Sequence, residues 1–243
     1  MRVCSNSPSK RYLMKNQDNL SRQAEAWFAV RPGFEALAEY LRYKRSGVKT
    51  AAREASERFA AGLDEADGAR AQELVRALHE GWRQFGELPG LVPYPVTMAA
   101  SRLCRRWEAV DPKAADPLVF RAGFEWNPDL YVEALERDPT HPAALRGRIM
   151  DQLRRVSDAF HTIERGTLSE AETEVRAAMV SIRTLCRRLA DPRLTLQADQ
   201  FLDLCDTLLA GLEAWRAAGQ AGDFTGYMKA RGTELGALAW VGH

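Results

Sequence analysis

NPDLYVEALERDPTHPAALRGRIMDQLRRVSDAFHTI, residues Asn127 to Ile163, reads as a short helix, an Asp-Pro turn and a long amphipathic helix. Asn127 before Pro128 is a helix start: Asn accepts from the unsatisfied first amides, and Pro has no donor there to leave unsatisfied. Leu130, Tyr131, Ala134 and Leu135 then share one face. Pro139 pushes Asp138 out of helical geometry and ends the helix. His141-Pro142 opens the next one. From there Leu145, Ile149, Leu153, Val156, Phe160 and Ile163 recur at alternating short steps, a narrow apolar seam made for another helix.

Within this stretch, YVEALERDPTHPAAL resembles the junction between two tetratricopeptide repeats. The residues that carry the likeness are Tyr131, Ala134, Leu135, Glu136, Asp138, Pro139, Ala143 and Ala144. It departs at Arg148 and Ile149, where the family carries an aliphatic and a small residue, and the helix runs past the point where a repeat would turn. The resemblance implies degenerate helical hairpins and a role in binding another protein. The chain is also similar in style to bacterial helical proteins.

Downstream, Thr167-Leu168-Ser169-Glu170 has the spacing of a capping box. Ala171, Val175, Ala178, Ile182, Leu185 and Leu189 continue a heptad, and Asp191-Pro192 repeats the stop-and-start device. Leu194, Ala198, Phe201, Cys205, Leu208, Leu212 and Trp215 hold another heptad. Three long helices with matching seams and short loops predict an antiparallel three-helix bundle about 35 Å long. From residue 219 to 243 glycines recur every few positions, so only a weakly helical tail is expected, with Trp240 and Val241 docking on the body or a partner.

Upstream, Phe34, Leu37, Leu41 and Lys44 mark one helix face. Gly47 supplies a turn, and Val48, Ala52, Ala55 and Phe59 mark the next face. A third helix is expected from about Glu65 to Phe85, carrying Ala71, Leu74, Leu78, Trp82 and Phe85. GELPGLVPYPV, Gly86 to Val96, excludes a helix by its prolines and glycines, and its Leu91, Val92 and Tyr94 predict a loop packed down on the body. After Pro95 a helix carries Val96, Ala100, Leu103, Trp107 and Val110. Asp116-Pro117 then opens a short one rich in aromatics. Residues 1–20 are polar and basic and are expected to be a disordered arm. The expected organisation is therefore all-α: one helical domain over 21–218, with hairpins over 21–140 and a bundle over 141–218.

A formal charge of +1 and 46% apolar residues argue against a dedicated nucleic-acid or anionic-membrane binder. No run reaches the roughly twenty apolar residues of a membrane span. The N-terminal stretch has no apolar signal core, which points to the cytoplasm. Cys4, Cys104, Cys186 and Cys205 are too far apart for a metal knuckle or a redox pair and read as free thiols in a reducing compartment.

Chemistry is sparse. Arg155 and His161, with five residues between them, resemble the short Arg-to-His signature of HEPN-type ribonucleases, in which paired Arg and His of a dimer cleave RNA. Asp158, His161 and Glu164 stand three apart on one face, a spacing open to metal binding if a second helix supplied a matching set. The acidic set available, Asp199, Asp203 and Asp206, is better read as the salt-bridge partner of Arg176, Arg183 and Arg187. No phosphate loop, nucleophile elbow or zinc-protease motif occurs, and no cofactor is called for. The expectation is a non-enzymatic binding protein, an adaptor, chaperone-like scaffold or immunity-type inhibitor, with Trp107, Phe120, Trp126 and Tyr131 as its candidate contacts. A ribonuclease using Arg155 and His161, or a purely structural self-associating protein, are the alternatives.

Overall fold

The computed structural model describes residues 8–233 apart from Glu87 and Ala221, with side chains from Asn16 onward. Every regular element among them is helical. No helix among the described residues is long and apolar enough to cross a membrane. The chain divides into two compact units, Met1–Leu130 and Tyr131–His243.

The first unit holds α1 (Pro8–Ala29), α2 (Glu35–Arg45), α3 (Lys49–Glu65), α4 (Gly68–Phe85), α5 (Tyr94–Val110) and α6 (Asp116–Glu125). Of the arm expected over 1–20, residues 1–7 lie outside the described residues, and from Pro8 the backbone is helical. Further along α1, Ala24 and Phe28 are buried. The Phe28 ring stacks on Phe34 at 5.4 Å, and Phe34 meets Phe59 at 5.1 Å, which ties α1 to the α2–α3 pair. Packing then runs from α3 to α5, while α4 lies against α1, α5 and α6.

The expected third helix begins later than Glu65. That residue belongs to α3, and the chain breaks through extended Ala66 and Asp67 before α4. Arg106 of α5 stabilises the break by donating to the carbonyls of Leu63, Asp64 and Ala66 at 3.2, 3.0 and 3.2 Å, satisfying acceptors that a helix end leaves open. Lys44 and Val48, placed on apolar faces by their spacing, are exposed. The Lys44 ammonium instead reaches the Gly90 carbonyl at 2.9 Å, beside the Tyr40 hydroxyl, which donates to the same oxygen at 2.7 Å. These two bonds pin the proline-rich loop, whose own Leu88 and Leu91 are buried. Tyr94 departs from the expected pattern: it starts α5, with Pro95 in the first turn, and is exposed.

The second unit takes in most of α7 (Asp129–Arg137), then α8 (Pro142–Ala159), a 3-10 segment (Phe160–Arg165), α9 (Glu172–Leu189), α10 (Pro192–Ala217) and α11 (Phe224–Lys229). Ion pairs report the directions. Arg155 at the end of α8 meets Glu174 at the start of α9, and Arg176 and Arg183 of α9 meet Glu213 and Asp206 of α10, so neighbouring helices run antiparallel. One core joins α8, α9, α10 and α11. All six expected seam residues of α8 and the 3-10 segment are buried, as are all seven of α10. On α9 the buried stripe is Val175, Met179, Ile182, Leu185 and Cys186, whereas Ala178 and Leu189 are only partly covered. A straight helix drifts against a seven-residue repeat, and the stripe moves with it.

The capping box does not form. α9 starts at Glu172, after an Ala171 that has no capping side chain. Thr167 and Ser169 instead donate to the Thr162 and Asp158 carbonyls, and Glu170 accepts from Arg155 at 2.8 Å. In the tail, α11 is capped by the Asp223 carboxylate. Trp240 and Val241 lie outside the described residues.

Candidate functional site

α6 ends in a residue that a helix end seldom carries. Trp126 sits in the left-handed region at φ 52°, its N–H donating to the Ala122 carbonyl. Glycine is the usual occupant of this position, because a Cβ there crowds the following carbonyl and costs about 1–2 kcal/mol. The indole gains little burial in exchange, being 77% exposed. Its one ring partner among the described residues is Trp82 of α4, met nearly edge to face at a centroid distance of 6.3 Å and 73°. Trp82 is only partly covered, stacks on Phe124 at 5.7 Å, and fits because residue 123 is glycine: a side chain there would collide with its ring.

A polar clamp holds this end of α6 against α5. Glu125, the residue before Trp126, accepts from Arg121 at 3.0 Å, from Arg105 at 3.1 Å and from the Ser101 hydroxyl. Arg121 also donates to Glu108 at 2.7 Å. Burial alone would raise the Glu125 carboxyl, but the bonds from Arg121, Ser101 and Arg105 outweigh it and hold the group down at about 2. The clamp fixes the backbone from which Trp126 projects.

The other expected contact residues are placed differently. Trp107 and Phe120 are buried, 6.1 Å apart, with the Arg76 guanidinium 4.9 Å above the Trp107 ring and His79 4.6 Å from Phe120. Tyr131, in the second unit, is half-buried against Gly147, where a side chain would strike its ring. Of the four, Trp126 alone presents its ring to solvent.

Arg155 is held by two carboxylates, Glu170 at 2.8 Å and Glu174 at 3.1 Å, while His161 is exposed on the 3-10 segment. α8 stops at Ala159, so Asp158, His161 and Glu164 do not share an α-helical face, and among the described residues no group of three His, Cys, Asp or Glu is placed to hold a metal ion. Arg183 pairs with Asp203 at 3.2 Å and Asp206 at 2.9 Å, but Arg176 goes to Glu172 and Glu213. The expected facing stripes therefore meet at one arginine. Cys104, Cys186 and Cys205 are buried free thiols. Burial pushes the Cys205 thiol up to about 12 and raises Cys104 further, away from the nucleophilic thiolate.

Sequence reasoning placed Trp82 in an apolar face and missed its pairing with Trp126, Gly123 and the Glu125 clamp. One signal was present: a tryptophan directly before Asn-Pro occupies the slot where a helix normally ends in glycine. No protein-family model, curated protein or solved structure matches the chain.

Proposed function

We propose that this is a non-enzymatic binding protein, an adaptor, chaperone-like scaffold or immunity-type inhibitor, acting in the bacterial cytoplasm and engaging another protein through Trp126. The observation that carries this reading is the exposed indole held on a strained left-handed backbone, where glycine would serve the fold better. Exposed tryptophans on rigid supports are the residues that dominate protein interfaces, because one side chain covers a large apolar area at small entropic loss. The clamp at Glu125 provides such a support.

The tetratricopeptide-like segment lends secondary support to a hairpin architecture. Ala134 and Ala144 are fully buried, and Tyr131 packs on Gly147, as expected where two hairpin helices approach closely. Hairpin arrays bind through side chains spread over a surface and need no catalytic signature.

The test is affinity capture from the native cell, alongside light scattering of the purified chain. A partner should be retained by the native chain and bound about thirtyfold or more weakly by Trp126→Ala, the loss typical of a hot spot. Recovery of the chain alone would replace this reading with self-association. RNA cleavage that disappears in Arg155→Ala and His161→Ala would replace it with a nuclease.

A further inference from the structure

Four tryptophan and tyrosine rings of the first unit carry a cation of the chain itself. The Arg31 guanidinium lies 3.2 Å over Trp27, Arg76 4.9 Å over Trp107, Arg42 5.1 Å over Tyr43, and the Lys44 ammonium 5.8 Å over Tyr40. Trp82 and Trp126 have no such cation among the described residues. Tyr94 has none either, but forms no ring pair there. The two indoles meet at 73°; Trp82 is already stacked on Phe124 and has the His79 ring 6.2 Å away, so the open wall of this corner is the exposed Trp126 ring. Arg105 and Arg121, the cations bonded to the residue before Trp126, are committed to Glu125 and Glu108. Asp129, exposed and three positions after Trp126, adds a carboxylate to the same end of the unit.

We propose that the Trp82–Trp126 corner receives an arginine or lysine side chain of the protein partner. A guanidinium or ammonium over an indole face is drawn by the negative ring quadrupole, and indole is the strongest such acceptor among side chains. A cation over the open Trp126 ring lies beside Trp82, whose indole adds a second aromatic neighbour. The left-handed residue 126 carries an indole that meets Trp82 at 6.3 Å, on a backbone where glycine would be easier. The proposal rests on Trp126 being a binding residue and adds what it binds.

The test is a titration of the full chain followed by the indole N–H signals of Trp82 and Trp126. N-acetyl-arginine amide is the probe and N-acetyl-glutamine amide its neutral control. Both signals should shift saturably, with the arginine compound bound about two- to fivefold more tightly than the control. The Trp82 shift should vanish in Trp126→Leu, a change at an exposed side chain that leaves the core intact. Absence of a saturable shift, equal response to both compounds, or a Trp82 shift that survives Trp126→Leu would each overturn it. If those results came while partner capture still depended on Trp126, the cation would fall and the binding role would stand.

Discussion

α6 and α9 end on the same backbone device and differ in what it carries. Trp126 at φ 52° precedes Asn127-Pro128, and Ala190 at φ 53° precedes Asp191-Pro192. In both, a left-handed residue closes one helix and an Asn or Asp starts the next. At the α9 end the cap is strong: the Asp191 carboxylate accepts from the amides of Arg193 and Leu194, each at 3.1 Å, and pairs with Arg146. The amide bond from Leu194, followed by the charge of Arg146, lowers its pKa against desolvation. At the α6 end the Asn127 side-chain oxygen accepts from the Asp129 amide at 3.2 Å. Ala190 is the smallest side chain that can stand in the turn short of glycine, and Trp126 is the largest. The turn itself therefore does not ask for an indole, and the reason for one has to be sought outside the fold.

The comparison can be broken or sharpened by substitution. The largest effect on stability is expected at Gly123→Val, whose added methyls meet the Trp82 ring; overpacking of this kind lowers stability by about 1–3 kcal/mol, read as a shifted denaturation midpoint. Removing the caps comes next. Asp191→Ala should lower the denaturation midpoint more than Asn127→Ala, which should cost about 0.5–1 kcal/mol, since one loses a charged acceptor for two amides and the other a neutral acceptor for one. Equal losses would show that the two helix starts are equivalent.

A pH effect should follow from the clamp beside Trp126. Glu125 has its carboxyl held down at about 2, below its unfolded value, chiefly by Arg121, Ser101 and Arg105 acting against burial. Its contribution to stability is present above the unfolded pKa, near 4.3, and is lost as pH falls toward 2. Melting temperatures measured between pH 5 and 2 should decline less steeply in Glu125→Gln than in the native chain. An unchanged slope would remove Glu125 from the account. The smallest effect is expected at Ala190→Gly, where relief of the left-handed strain slightly exceeds glycine's added chain entropy and stability rises by about 0.5 kcal/mol.

Much of the second unit was legible because α8 and α10 are long and regular, and a seam repeated over several turns has one physical outcome, burial. α9 was less so, since one drifting turn moves Met179 and Cys186 into the core. Thr167 looked like a cap, but its hydroxyl serves the Thr162 carbonyl in the turn after α8, a competition that only the folded loop decides. In the first unit, the break between α3 and α4 depends on Arg106 reaching across from α5, a long-range bond that leaves no local pattern. The candidate site was half-visible. Trp107, Phe120 and Trp126 are alike as apolar residues near one corner. What separates them is that Trp107 and Phe120 face each other and Arg76 and His79 of α4, while Trp126 stands exposed. A left-handed residue ahead of an Asn-Pro or Asp-Pro pair is a local event, but whether its side chain then finds cover is not.

Trp126→Gly tests the central claim most directly, because it relieves the strained turn and removes the indole in one change. Measured together on the same protein, thermal stability should stay level or rise, and capture of the partner should fall about thirtyfold or more. Lower stability with undiminished capture would mean that the indole serves the fold, and that the binding surface lies elsewhere.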